Sequence, residues 1–302
     1  MNEFLSKRLA CPISKVPLTL DDDGMLSAPC GFKYKSNDFR IGLEFSKDWR
    51  EGQDEYEVFE KQWLKAVNHP EKLLGLDSET SDVYESIKMN GDVLDVGGAY
   101  GFVIKQAELD PNRYVSLDPI DMDWNRLREY EHIDSHYSIC KAAARIRGFA
   151  EFLPFTAASF DFVHMRSCID HFANPKLALM EAFRVLRQDG QLVVGISLEG
   201  AYKMEHEESY KKNQVGLRGL LKRVVSRLPI LQNLINFIRY GEFDRHDHHM
   251  FHPTRDSLRE LIEQNGFKVE KEIWQQAYHN VIYLQAVRLE QLQVGCEVRT
   301  IF

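Results

Sequence analysis

The stretch Val93-Leu94-Asp95-Val96-Gly97-Gly98-Ala99-Tyr100-Gly101 passes from apolar residues through an acid into a glycine turn. A second run, Ser116-Leu117-Asp118, ends in another acid 17 residues after Gly101. The first stretch reads as strand, turn and helix start. Glycines let a backbone approach a ligand and take strained dihedrals. The helix start near Tyr100 to Gly101 offers N–H groups without intrahelical partners, which suit an anion. An acid closing the next strand accepts hydrogen bonds from ribose hydroxyls in dinucleotide folds. Together these features describe a nucleotide pocket. The fingerprint G-x-G-x-x-G fails, because a start at Gly97 would need glycines where Ala99 and Phe102 stand.

The first acid, Asp95, lies two residues before Gly97, a placement that points to S-adenosylmethionine rather than NAD. On this reading Asp118 takes the ribose diol and the helix start takes the methionyl carboxylate. Asp95 orients the loop or receives the ligand's ammonium through water. Further motifs follow in order. Gly148-Phe149-Ala150-Glu151-Phe152-Leu153-Pro154-Phe155 leads into Ser159-Phe160-Asp161-Phe162-Val163-His164-Met165. Then come Asp170-His171-Phe172, Pro175, and Glu181-Ala182-Phe183-Arg184-Val185-Leu186-Arg187-Gln188-Asp189-Gly190-Gln191-Leu192-Val193-Val194.

With these motifs in place the chain resembles the class I S-adenosylmethionine-dependent methyltransferases, in the group that acts on small molecules. The resemblance covers about 91–200, with a looser echo to about 288. It implies an α/β fold: a Rossmann-like, seven-stranded, mostly parallel sheet with helices on both faces. It also implies S-adenosyl-L-methionine as cofactor. The implied cofactor residues are Asp95, Gly97, Gly98, Ala99 and Gly101 from the first turn, and Asp118 and Pro119 from the second. Ala150, Glu151 and Arg166 complete the set. Two positions depart from the family: Ala99 stands where glycine is usual, and Phe149 where an acid often receives the adenine amino group. Adenine is then expected against backbone groups near Ala150 and apolar neighbours.

Strands are predicted near 92–96, 113–118, 146–150, 160–165 and 190–197, and helices near 101–109, 122–132, 174–187 and 254–265. Segments 267–274 and 279–288 are expected to close the sheet as an antiparallel pair. Residues 1–45 read as a small β module, and 46–302 as the methyltransferase domain. The module resembles a degenerate zinc ribbon, because a ribbon needs C-x-x-C twice. Cys11 pairs with Ser14 and Ser27 with Cys30, so each half has lost one ligand, and a metal-free module is expected. A disulfide between Cys11 and Cys30 is the alternative. Helices are expected over 50–90, where Phe59, Trp63, Ala66 and Val67 share one face.

An insertion at about 200–245 carries a helical stripe of Leu217, Leu220, Leu221, Val224, Val225 and Leu228 opposite Arg218, Lys222, Arg223 and Arg227. It reads as a lid over the substrate, with membrane-surface contact through 215–240 or a dimer contact as alternatives. The net charge of −8 argues against broad nucleic-acid binding, so no DNA partner is expected. Five cysteines without a secreted pairing pattern, and no signal-peptide core, predict a cytoplasmic protein. Oligomeric state is not readable from the sequence.

Methyl transfer is an in-line displacement in which the protein orients and positions the partners. A hydroxyl acceptor needs a base near neutrality, which favours histidine. His171 with Asp170 follows the fourth strand at its ligand-binding end. The second source is His246-Asp247-His248-His249-Met250-Phe251-His252, with His252 as a further catalytic candidate. Imidazoles and carboxylates in this stretch suit a metal. Thr254 ahead of Asp256-Ser257-Leu258 reads as a helix N-cap, however, so the stretch reads as a linker and no metal is assigned. The expected function is methyl transfer to a small molecule, at a hydroxyl or other nucleophile. Alternatives are an rRNA or tRNA methyltransferase and a non-catalytic S-adenosylmethionine-binding protein.

Overall fold

The computed structural model describes residues 3–22, 24–35, 37–40, 50, 81–99, 101, 103–120, 144–198, 249–275 and 281–290. The lid at 200–245, the helix at 122–132, Phe59 and Trp63, and His246 and His248 lie outside the described residues.

Three short strands, β1 (Thr19–Leu20), β2 (Leu26–Ser27) and β3 (Lys33–Tyr34), form a small antiparallel sheet. Seven more form the main sheet: β4 (Val93–Val96), β5 (Tyr114–Asp118), β6 (Ala144–Arg147), β7 (Phe160–Arg166), β8 (Leu186–Ser197), β9 (Phe267–Trp274) and β10 (Val281–Arg288). Their order is β6-β5-β4-β7-β8-β10-β9. Strands β6, β5, β4, β7 and β8 are mutually parallel, while β10 runs antiparallel to both β8 and β9. This is the sheet expected from the sequence. Chain order reverses at β4, with β5 on one side and β7 on the other, and a crevice opens at such a switch point beyond the strands' carboxyl ends.

Strand β4 is buried along its whole length, as a central parallel strand must be. Leu94 and Val96 face one layer with Val163, Met165, Leu117 and the helix Pro175–Val185. Val93 faces the other with Tyr84, Val103, Tyr114 and Tyr283. Asn174 caps the helix Pro175–Val185 by accepting from Leu177 N at 3.1 Å. That helix stops short of the expected 187, because Leu186 already pairs with Phe160 in β8. Thr254 caps the helix Arg255–Gln264, where it forms a capping box with Ser257. Among the described residues no helix is long and apolar enough to cross a membrane.

Residues 3–40 share the first core layer through Leu5, Leu9, Cys11, Leu26, Tyr34 and Phe39. Arg147 N donates to Asn37 O and Phe39 N to Arg147 O, so this segment covers the edge at β6. Lys15 pairs with Glu181 at 2.6 Å. The ribbon comparison needs one correction: Ser27 donates to Asp21 at 2.8 Å, whereas Ser14 meets Cys30. Cys11 and Cys30 Sγ lie 3.8 Å apart. Burial pushes the Cys11 thiol up, but hydrogen bonds from Ser14 and Tyr34 outweigh it and bring it down to about 7. Mild oxidation with diamide is therefore expected to join Cys11 to Cys30. A non-reducing peptide map checks this, and the absence of that cross-link would show that the two thiols do not meet in solution.

Candidate active site

The cleft lies beyond the carboxyl ends of β4 to β7 and encloses about 570 Å³, open to solvent on one side. Four loops build it: Val96 and Gly97 after β4, Leu117 to Ile120 after β5, Phe149 to Glu151 after β6, and Ser167, Cys168, His171 and Phe172 after β7.

Gly97 has φ +67°, and a Cβ there would stand 2.6 Å from the Cys168 side chain. Only glycine lets this turn pass under the β7 loop. Ala99 also takes a left-handed φ, of 41°, at a cost of roughly 1 kcal/mol. It is held there by its N–H on Asp118 Oδ2 at 3.2 Å and by its carbonyl, which accepts from Ser116 Oγ at 3.2 Å. Asp118 Oδ1 accepts from Ile120 N at 3.0 Å. The β5 acid thus ties both loops together at the cleft. A carboxylate has about four acceptor directions, so two backbone bonds do not exhaust it.

Around this carboxylate the walls are Leu117, Ile120, Phe149 and Phe172, apolar surfaces suited to a planar base. Cys168 donates to Val96 O at 3.2 Å, and burial pushes its thiol well above the usual range, so it is a packing group rather than a nucleophile. Glu151 accepts from Asn174 N at 3.1 Å, and burial pushes its carboxyl up in spite of that donor. A carboxylate at the cleft, apolar walls and a tight glycine turn together fit an adenosyl group carrying a short polar chain.

Of the expected cofactor residues, Gly97, Asp118, Pro119, Ala150 and Glu151 line the cleft. Asp95, Gly98, Ala99, Gly101 and Arg166 are not among its described lining. Alternation along β4 puts Asp95 on the face opposite Val96. There it accepts from the Tyr114 hydroxyl and meets His164 Nδ1 at 2.7 Å, while His164 Nε2 lies 3.0 Å from the Tyr84 hydroxyl. Asp95 supports the turn from below: a Cβ on Gly98 would stand 2.7 Å from its carboxyl carbon. Arg166 shares its β7 face with His164 and lies among Tyr84, Tyr283 and Asp95. Arg166 and Asp95 therefore stand outside the described lining, and Asp95 takes the expected role of orienting the loop.

His171 lines the cleft together with Gly97 and Asp118. Asp170 is buried behind it, with Oδ1 4.0 Å from His171 Nε2. The His252 ring lies 5.4 Å from that of His249, tilted at 59°, and is not among the described lining of the cleft. Ser167, Cys168 and Phe172 were not assigned to the site from the sequence, because a loop after a strand carries no periodic signal. His249 reaches Asp170 from the far end of the chain, at 3.3 Å.

A parallel sheet with its switch-point cleft, an acid on the neighbouring strand and a glycine turn beneath define a nucleotide-cofactor transferase. A sequence model described as a methyltransferase domain matches residues 72–272, and the chain belongs to that family, which uses S-adenosylmethionine. Among curated proteins it is similar to 2-methyl-6-phytyl-1,4-hydroquinone methyltransferase 2, chloroplastic, of Oryza sativa subsp. japonica. The two are 33% identical over 116 residues, which is 37% of this chain and 30% of that protein. The chain therefore matches less than a third of that relative's length.

Among solved structures it is similar to Burkholderia thailandensis 1,6-didemethyltoxoflavin-N1-methyltransferase, bound to 1,6-didemethyltoxoflavin and S-adenosylhomocysteine. Identity is 12%, coverage 90% of this chain and 99% of that one, and the TM-score 0.46. It is similar as well to a S-adenosylmethionine-dependent methyltransferase of Thermotoga maritima, with 17% identity, coverage of 74% and 97%, and a TM-score of 0.45.

Proposed function

We propose that this protein transfers a methyl group from S-adenosylmethionine to a small-molecule acceptor held at the His171 end of the cleft. The observation that carries the reading is that one cleft is lined by both the β5 acid Asp118 and His171, with Asp170 beside His171. The name of the rice relative, a hydroquinone methyltransferase, supports a small-molecule acceptor. So does the net charge of −8, which argues against broad nucleic-acid binding.

Asp118 would hold the ribose, the Gly97 turn the methionyl end, and Phe149 and Ala150 the adenine. When bound, the cofactor supplies an electrophilic methyl on sulfur. The chain's own part is to seat the acceptor, exclude water with Phe172 and Ile120, and provide a polar contact at His171 that takes up or directs the acceptor's proton.

The test incubates the purified chain with methyl-labelled S-adenosylmethionine and a panel of phenols, hydroquinones, amines and thiols, with bulk tRNA and rRNA in parallel. Label is expected in a small molecule. His171→Ala is expected to lower kcat by about 10² to 10⁴ for a hydroxyl acceptor, with S-adenosylhomocysteine binding kept. Label appearing in RNA alone would overturn the reading.

A further inference from the structure

From the cluster beside the cleft we infer a binding site for a divalent first-row metal ion of the zinc type, made by Asp170, His171 and His249. Asp170 and His171 sit on the short turn Ile169–His171 after β7. His249 comes from the segment leading into the helix Arg255–Gln264, some eighty positions later. A main-chain bond joins the two segments: Met250 N donates to Asp170 O at 2.7 Å. Phe251 packs on the core beneath. The His249 backbone is thus fixed next to Asp170 by contacts that do not involve its ring.

One ligand atom from each of the three residues lies within 4.8 Å of the others. His249 Nε2 stands 3.3 Å from Asp170 Oδ2, and His171 Nε2 4.0 Å from Asp170 Oδ1. Two ligands about 2.0–2.1 Å from a tetrahedral zinc ion are themselves roughly 3.3 Å apart. The first pair already has that spacing, and the second needs to close by well under 1 Å. The imidazole rings of His171 and His249 are 4.7 Å apart at 37°, so both can turn one nitrogen to a common point.

A second observation points to a ligand. Asp170 is only 7% exposed, and its Oδ1, on the His171 side, accepts no hydrogen bond. A buried carboxylate oxygen without a donor is costly, and such exceptions call for an explanation. A cation between the three residues supplies it. Two imidazoles and one carboxylate leave a four-coordinate ion one further position, as in three-ligand catalytic zinc sites. Because His171 also lines the cleft, that position is suited to an oxygen of the acceptor. The inference deepens the function proposed above, and it rests on that reading only for the acceptor. With the ion bound, His171 would serve as its ligand, and the ion would lower the pKa of a bound hydroxyl so that its proton passes to solvent water.

The test uses the full chain stripped with chelator and titrated with Zn²⁺ by calorimetry, and with Co²⁺ by visible absorption. One equivalent is expected, with a tetrahedral cobalt spectrum. Asp170→Asn, nearly isosteric, and His249→Ala are each expected to weaken binding by about 100-fold or more, since even indirect partners of a metal cost 10- to 100-fold. Affinity for S-adenosylhomocysteine, measured on the same samples, reports folding and tests the cofactor site independently. X-ray absorption of the zinc-loaded native chain should show nitrogen and oxygen neighbours including imidazole. No stoichiometric ion, sulfur ligation, or undiminished affinity in folded His249→Ala would overturn the site. Methyl transfer that survives chelation with the ion absent would leave the methyltransferase reading standing and remove the ion from it.

Discussion

Asp118→Ala is expected to lower affinity for S-adenosylhomocysteine by about 10² to 10⁴. The carboxylate is the single charged group that the described cleft offers beside the β4 turn, and it has two tasks. It accepts from Ala99 N and Ile120 N, which fixes the loops after β4 and β5. It also faces the space where the ribose diol is proposed. Hydrogen bonds to a charged group contribute about 1.5–3 kcal/mol each, so two hydroxyls account for roughly 3–6 kcal/mol. The loop bonds add a second penalty, because the left-handed Ala99 loses its main restraint. Asp118→Asn separates the tasks. An amide keeps one oxygen for a backbone N–H but presents a donor to the other, so an intermediate loss is expected. Calorimetry with S-adenosylhomocysteine, alongside circular dichroism to confirm folding, checks both variants. Unchanged affinity in Asp118→Ala would place the ribose elsewhere.

The centre of the sheet was legible because β4 and β5 are buried along their whole length and read as largely apolar runs between turn signals. The exception is instructive. Strand β6 lies at Ala144–Arg147 rather than 146–150, because it is a half-buried edge strand of alternating arginines, and residues 150–152 turn into a 3₁₀ helix instead. In the site, Gly97 and Asp118 could be read because loop geometry and strand ends are local properties. Asp95 and Arg166 could not be placed, because a strand residue's face is fixed by which layer its neighbours join. Asp95 shares a face with Val93 and turns to Tyr114 and His164, away from Val96 and the cleft. Nor can a sequence show that His249 meets Asp170: that contact depends on β8, β9 and β10 closing the sheet and bringing the segment before the last helix back to the β7 loop.

Asp92→Ala is expected to lower stability by about 3 kcal/mol while leaving cofactor affinity unchanged. Asp92 precedes β4, at the end of the sheet away from the cleft, and its side chain is 5% exposed. It accepts at 2.7 Å from three arginines: Arg8 of the N-terminal segment, Arg113 before β5 and Arg187 in β8. Arg187 also meets Asp161 at 2.6 Å, and Asp161 accepts from Asp92 N at 2.7 Å. One carboxylate therefore joins four chain segments. Breaking a buried pair typically costs 3–5 kcal/mol, because the partner charge is left uncompensated. Arg113 and Arg187 are 47% and 35% exposed, so they rehydrate in the variant, and the lower end of that range applies. For a chain of this size Tm should fall by roughly 5 °C. The pH dependence follows from the same geometry. Burial pushes the Asp92 carboxyl up, but the hydrogen bonds of Arg113 and Arg187 and the nearby Arg8 outweigh it, so it sits below the usual carboxylate range. A depressed native pKa means that the unfolded chain takes up the proton first as pH falls. The contribution is then complete above the unfolded value, about pH 4, and lost as pH drops through the native one. The gap in Tm between native protein and Asp92→Ala should accordingly be constant from about pH 5 to 8 and close only under stronger acid. A gap that already narrows near pH 6 would mean that burial outweighs the arginines and holds the Asp92 carboxyl above its usual range.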